Sequence, residues 1–454
     1  MKKSDIVVLK FGGTSMGTAE TMNSCCDVIR ERIKENKRPF VVVSAISKMT
    51  DTLLNMLALA KNRKKKELNK TFQNIKDRHF KILFDLTKDE VLKDEYIKIL
   101  NAKFAALLEI LNGILLTSDY SDKMQAHILS YGEDLSSDLM ELCLKENKVD
   151  TKKIHSKFLV KTYGSYLSTS VDFKKTKKAF KKISESIKNG TVFVMTGFFG
   201  SGKNNEIMLL GRGGSDFSGS IAGIALDASI VEIWTDANGV MSADPRLIPN
   251  AISWDKLNKD TASEMARAGA KVLHPKTICA SYYNIDIIIR NLFNKSFKGT
   301  LVNSDYCGDG VKGVVSDSGY SILHFENQDM FENAGFIAKL GIIADENNMP
   351  LDMATTSETS VTFTIKTNYL NKNILKSFNS IANVTIIENV VKISIIGQNI
   401  SNNLILEKIF STLKSNKIEP LMVTMGTSKN NIGIIVNDKD KNLALQSIHS
   451  ILFK

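Results

Sequence analysis

Proline is scarce in this chain, with 6 among 454 residues, and so are tryptophan (2), histidine (6) and cysteine (5). The cysteines, Cys25, Cys26, Cys143, Cys279 and Cys307, show neither paired zinc spacing nor an even disulfide framework, and no two histidines form an HxxxH pair. A disulfide-stapled scaffold and a zinc enzyme are therefore both excluded as readings. Also missing is any apolar run near the roughly 18 to 20 residues that a membrane span needs. Met1-Lys2-Lys3 is followed by only four apolar residues before Lys10. Neither a signal peptide nor an anchor is expected, and the chain reads as cytoplasmic.

What is present is ordinary globular composition, 43% hydrophobic and 24% charged, enough for two or three packed domains. Sixty Lys+Arg against 49 Asp+Glu give a net charge of +11, which would suit nucleic acid, an acidic surface or small phosphorylated ligands. The densest basic run, 61 to 66, lies in a polar, helix-prone stretch without interleaved aromatics. It reads as a solvated face, and charge alone does not indicate nucleic acid.

Ile6-Val7-Val8-Leu9 reads as a buried strand running into the glycine turn Lys10-Phe11-Gly12-Gly13-Thr14-Ser15. Helical spacing follows at Met22, Cys25, Cys26, Ile29 and Ile33, then a second buried strand at Phe40 to Val43. Such a strand-helix-strand unit predicts a parallel sheet. Residues 51 to 147 read as mostly helical, interrupted at Ser130-Tyr131-Gly132-Glu133, and strand signals return at 192–195, 230–234 and 285–289. The spacing predicts one α/β domain over residues 1–300. Beyond it, a βαββαβ order between about 321 and 387 recurs roughly 70 residues later, as in a tandem duplication. Two ferredoxin-like modules are expected, at 311–389 and 390–454.

Three glycine clusters could carry chemistry. In the first, Lys10 ends a strand and the N–H groups beyond it could cradle phosphate oxygens, unless the turn merely needs positive φ. In the second, Gly211-Arg212-Gly213-Gly214-Ser215-Asp216 precedes a helix of small residues. Close helix packing accounts for Gly219 and Gly223 but not for Arg212 or Asp216, which favours an anion site with a planar guanidinium fork. The third, Gly197 to Lys203, has P-loop spacing, yet Asn204 stands where the Mg²⁺-binding hydroxyl belongs, and that reading is rejected. Thr235 and Asp236 close a buried strand, where ligands of open α/β sheets sit, although an Asx turn explains Asp236 and Asn238 equally. Arg246 and Lys271 are cations able to hold a triphosphate, and His274 beside Pro275 reads as structural.

Taken together, KFGGTS at 10–15, SAISKMTDTLL at 44–54, SYGED at 130–134, GRGGSD at 211–216, WTDANGVMSADPR at 234–246 and GAKVLHP at 269–275 resemble the aspartate kinase (aspartokinase) signature set. The likeness runs in order through the whole chain, and the C-terminal modules resemble a tandem ACT pair. It implies a three-layer amino-acid-kinase domain of the acetylglutamate-kinase-like type with a mainly parallel sheet. It also implies the single-function form, without a fused homoserine dehydrogenase. The implied reaction moves the γ-phosphoryl group of ATP, as its Mg²⁺ complex, to the side-chain carboxylate of L-aspartate. The alternatives are a kinase for another acidic amino acid and a non-catalytic amino-acid sensor.

By the same resemblance, Lys10 is the phosphate-stabilising cation, Phe11, Gly12 and Gly13 touch ATP, and Asp216 orients Lys10 and the substrate. Arg212 holds a substrate carboxylate and Glu133 the α-ammonium, while Thr50, Phe198 and Ser215 line the aspartate pocket. Thr235, Asp236, Met241, Arg246, Lys271 and Val272 form the nucleotide side. Met330, Asn333, Gly335, Phe336, Ile337, Pro350, Leu351, Asp352, Ser357 and Glu358 match the effector pocket of lysine-sensitive members, where Asp352 and Glu358 would suit an ε-ammonium. Lysine is the expected effector, and a homodimer or higher oligomer through the ACT modules the expected assembly.

Overall fold

The computed structural model describes residues 4–270, 274–294, 296–327, 335–425 and 429–453. It divides into two compact units. The first comprises Met1–Val240, Trp254–Lys259 and Val272–Asp305; the second comprises Met241–Ser253, Asp260–Lys271 and Tyr306–Lys454.

In the first unit, β1 (Ile6–Phe11), α1 (Ala19–Lys34) and β2 (Arg38–Val43) form the expected crossover, and β1 pairs parallel with β2. Four helices follow: α2 (Met49–Lys61), α3 (Lys65–Leu86), α4 (Glu90–Thr117) and α5 (Asp122–Glu146). Next come β3 (Thr151–Ile154), the hairpin β4 (Thr162–Gly164) and β5 (Thr169–Val171), α6 (Phe173–Phe180), α7 (Ser184–Lys188) and β6 (Val192–Thr196). A second hairpin, β7 (Phe199–Ser201) and β8 (Ile207–Leu209), begins in the false P-loop, and only a short 3-10 turn, Lys203–Asn205, stands where a P-loop needs its α-helix. After α8 (Gly214–Leu226) lie β9 (Ile230–Thr235), β10 (Lys256–Asn258), the start of α9 (Lys259–Arg267), β11 (Asp286–Asn291) and β12 (Thr300–Asn303). The sheet order is β10-β12-β11-β9-β1-β2-β6-β3, parallel except where β12 runs against β11.

Two-residue periodicity sorts β1 between two helical layers. Val7, Leu9 and Phe11 enter the core shared with α1 to α5, whereas Lys10 emerges against Gly219 of α8. By length and composition α4 could cross a membrane, which the search for apolar runs did not anticipate. One side of it, including Tyr96, Leu100, Phe104 and Leu107, is buried in that same core. Ser130 to Asp134 does not interrupt a helix either. It lies inside α5, and Gly132 brings the helix onto Ala45, since a Cβ there would sit 2.8 Å from the Ala45 methyl.

The second unit is built on a six-stranded antiparallel sheet. Its strands and helices are β13 (Gly310–Glu326), α10 (Phe336–Glu346), β14 (Ala354–Thr356), β15 (Ser360–Lys366), α11 (Lys372–Asn379), β16 (Asn383–Gln398), α12 (Asn403–Ser415), β17 (Met422–Met425), β18 (Asn431–Asn437) and α13 (Lys441–Leu452). The sheet order is β14-β15-β13-β16-β18-β17. Both long strands pass through both modules. Tyr320–Glu326 pairs with β15 and, across a register shift, with the first part of β16. Gly310–Asp317 pairs with the second part of β16, which in turn pairs with β18. A division at 389/390 does not describe these strands: the half-sheet of residues 390–454 takes its fourth strand from Gly310–Asp317, the opening of the stretch expected to form the first module.

Candidate active site

The first glycine turn follows β1 directly. Gly12 donates its N–H to the Trp234 carbonyl (3.2 Å) and Ser47 donates to the Gly13 carbonyl (3.0 Å). Neither Gly12 nor Gly13 has positive φ, so a turn needing that conformation is not the reason for glycine here. At Gly13 the reason is approach, because a Cβ would stand 3.0 Å from the Ala45 carbonyl oxygen. Phe11 is buried and stacks on Trp234 with ring centroids 6.4 Å apart.

Lys10, only 6% exposed, forms an ion pair with Asp216 from the first turn of α8. Its ammonium lies over Gly12, 3.7 Å from where a Cβ would be, and its stem lies against Gly219, whose missing side chain leaves that room. The motif reading treated Gly219 as packing alone; one residue per helical turn from Asp216 was the signal that it shares the lysine's face. Arg212 is exposed on the turn before α8. Gly211 (φ 79°) and Gly213 (φ 68°) do adopt the left-handed conformation.

Glu133 reaches the same place from α5. It is 3% exposed, its Oε1 accepts from the Ser215 hydroxyl (3.0 Å), and its Oε2 has no hydrogen-bond partner. Burial pushes its carboxyl up to about 7, against the Ala45 backbone, Ser215 and Lys10, which pull the other way. A buried carboxylate with one empty oxygen is suited to a ligand cation. On the back of α5, Asp134 and Asp138 are clamped by Lys103 (2.8 and 2.5 Å) and Lys153 (2.6 Å each), which fixes the helix's rotation.

Phe198 has φ 73°, a conformation disfavoured for an aromatic residue, and its N–H is held by the Ser218 hydroxyl at 3.0 Å. Gly197 before it is pressed between the Val43 carbonyl and Ser215, so the hairpin sits tightly on α8. Thr50, the second residue of α2, is half-buried. Thr235 is half-buried at the end of β9, and its hydroxyl donates to the exposed Asp236 (3.2 Å). His274, read from the sequence as structural, is a brace. Its Nδ1 accepts from Lys276 N–H (3.2 Å), and its ring lies where a Cβ on Gly213 would be, 2.2 Å from Cγ. Gly213→Ala is therefore expected to displace the Arg212 turn and lower kcat/KM by about tenfold or more, as backbone strain of about 1 to 2 kcal/mol adds to that collision. Steady-state kinetics beside the His274→Ala double variant would check it, since removing the ring leaves the φ strain in place.

Met241 and Arg246 belong to the second unit. Ser242 between them shares a hydrogen bond with His449 of α13 (2.9 Å), and its carbonyl accepts from Val314 N–H (2.7 Å). Arg246 is held by Asp244 through Nη2 (2.6 Å) and Nε (2.9 Å). Gly335 and Phe336 open α10, Ile337 is exposed, and Pro350, Leu351 and Asp352 precede β14. Ser357 is hydrogen-bonded to Ser360, and Glu358 is exposed. Asp352 forms an ion pair with Lys392. Lys271, Val272, Met330 and Asn333 lie outside the described residues.

Residues 5–291 match the model of the amino acid kinase family, and 393–452 match an ACT domain. The chain belongs to the amino acid kinase family. This amino acid kinase is 28% identical to lysine-sensitive aspartokinase 3 of Escherichia coli over 99% of its own length and 100% of the relative's. It is 30% identical to a bifunctional aspartokinase/homoserine dehydrogenase of Buchnera aphidicola over 98% of its length, but spans only 56% of that relative. Among solved structures, E. coli aspartokinase III in complex with aspartate and ADP matches with a TM-score of 0.87 at 27% identity, covering 99% of this kinase and 100% of that chain. The same enzyme in complex with lysine and aspartate matches with a TM-score of 0.79 over the same shares.

Proposed function

We propose that this chain is an ATP-dependent aspartate kinase that forms 4-phospho-L-aspartate, the opening step of a route to lysine, threonine and methionine. The observation that carries the reading is the meeting of the Lys10–Asp216 pair with a buried, half-satisfied Glu133, within a likeness to aspartokinases that covers nearly the whole chain. A zwitterion with two carboxylates needs one anionic and at least one cationic partner, and Glu133 and Arg212 supply that complement.

The acceptor carboxylate has a reference pKa near 3.9 and is already a nucleophile at neutral pH, so no general base is required. The protein's work is then to position two anions in line and to neutralise charge building on the transferring phosphoryl group. Lys10 takes the second task with the Gly13 backbone, the Gly12 N–H being held by the Trp234 carbonyl, while Asp216 keeps its ammonium in place. In the first unit Phe11, Thr235 and Asp236 make up the nucleotide side, and Thr50, Phe198 and Ser215 the aspartate side. Mg²⁺ enters as part of the nucleotide substrate, held by phosphates and water. Lysine acts through the pocket that includes Gly335 to Ile337, Pro350 to Asp352, Ser357 and Glu358. The ACT modules assemble a cytoplasmic homo-oligomer.

The test is coupled ADP release with ATP and L-aspartate, with L-glutamate as competitor. Turnover with aspartate is expected, and turnover with glutamate alone would assign the neighbouring activity instead. Glu133 adds a pH signature. Its ionised form binds the α-ammonium, and that form gains population as pH rises through about 7. The expected result is that kcat/KM for aspartate climbs between pH 6 and 8 and then levels. Glu133→Gln is expected to flatten that limb and raise KM by roughly 10- to 100-fold, the worth of about 1.5 to 3 kcal/mol for a charged hydrogen bond.

A further inference from the structure

Lys392 is an anomaly of strand patterning. Along β16, Val391, Ile393 and Ile395 enter the core of the second module. The opposite face carries Val390, which joins Tyr320, Ile322, Met353, Met422 and Ile435 in a separate apolar cluster. Alternation places Lys392 on that same face, where an apolar residue is expected. Its side chain is nevertheless only 9% exposed. A buried ammonium is tolerated only with a partner, and that partner is Asp352.

The backbone that carries Asp352 is held in place, while its side chain stays partly exposed. Its N–H donates to the Thr364 carbonyl (3.0 Å), and the next residue, Met353, donates to the Thr364 hydroxyl (2.9 Å). Both bonds tie the segment to β15. Tyr320 stands beside the pair, with its ring centroid 5.3 Å from the Lys392 ammonium and its hydroxyl donating to Asp317 (3.0 Å). A second ammonium, that of Lys366, stands 3.9 Å from the centre of that ring and pairs with Asp317 (2.7 Å). The carboxylate assigned to an effector's ammonium thus already holds one from the chain itself.

We propose that Lys392 is a resident counter-ion of the effector acid, so that the ammonium of a free diamino acid reaches Asp352 only when Lys392 swings away. The inference rests on the effector reading given above and deepens it. A ligand that binds only a minor conformer has its apparent dissociation constant raised by the inverse of that conformer's population. Lysine binding to the native chain is accordingly weak, and Lys392 sets the threshold at which it begins.

The test is isothermal titration of the full chain with L-lysine. Lys392→Met keeps an unbranched stem, suits the apolar face and removes the competing charge, and it is expected to bind lysine about tenfold or more tightly than the native chain. Lys392→Arg retains a cation and is expected to show no gain, and adding Asp352→Asn to Lys392→Met is expected to abolish it. Should Lys392→Met fail to fold by circular dichroism, Lys392→Gln serves in its place. Lysine binding to the charge-removed variant that is unchanged, weaker or undetectable would overturn the proposal. Titration needs no turnover, so a failure here is separate from a failure of aspartate-dependent ADP release, which would sink the kinase reading instead.

Discussion

Lys10→Ala is expected to lower kcat with aspartate and ATP by roughly 10² to 10⁴-fold, a loss of about 3 to 5 kcal/mol of transition-state stabilisation, while the thermal melt hardly moves. The size follows from the site. Lys10 is 6% exposed, and its ammonium is held over the Gly12 backbone by Asp216, so its charge acts where water screens it little. Folding should survive because β1 is held mainly by Val7, Leu9 and Phe11 on its other face. Single-turnover measurements at saturating ATP and aspartate would separate lost chemistry from lost binding. A fall in kcat of less than about fivefold would place the phosphate-stabilising charge elsewhere.

The largest expected effect on stability comes from a residue remote from the chemistry. Arg32 of α1 donates to Glu232 of β9 through Nε (2.8 Å) and Nη2 (3.2 Å), and both side chains are buried. Glu232 also accepts from the Trp234 indole (3.0 Å), and the Trp234 carbonyl in turn receives the Gly12 N–H. Arg32→Met would leave a buried carboxylate with only the indole as partner, at a cost of about 3 to 5 kcal/mol in unfolding free energy. The Arg32→Met/Glu232→Leu double variant is expected to recover most of that loss, because two well-packed apolar groups can replace a buried ion pair nearly without penalty. Chemical denaturation of the three proteins measures both terms. Equal losses in the single and double variants would show that the charge is not what matters at this site.

Sequence reading found the parts of the candidate site that lie within a few residues of a strand end. Lys10 with its glycines, the turn containing Arg212 and Asp216, and Thr235 with Asp236 are local patterns with a local physical cause. Glu133 was singled out by the likeness of SYGED at 130–134, while the local structure of that segment was misread. Its segment read as a break in a helix, whereas Gly132 is there to let an unbroken helix close on Ala45. Contacts between distant residues left a trace at one partner's position but none of which partner it would meet. Arg32 and Glu232 are 200 positions apart, and Lys392 and Asp352 are 40 apart. In each case the signal would have been a charged residue in a place that periodicity reserves for an apolar one. The two C-terminal modules were legible as repeating βαββαβ patterns, but their strand pairing was not. Pairing is settled by which edges meet, and residues 310–317 carry glycines at Gly310 and Gly313 that blur the alternation of an ordinary strand.

The long strands Gly310–Glu326 and Asn383–Gln398 give the second unit a nested connectivity, and that has a consequence for how such a chain can be cut and rejoined. Ending it at residue 389 would leave Gly310–Asp317 without its neighbour in β16, an open edge inviting another chain to pair with it. Grafting residues 390–454 alone onto another protein would carry away a module lacking a strand. Excising 318–389 and closing the gap with a short turn is the operation that respects the pairing, since it rejoins two antiparallel neighbours as a hairpin.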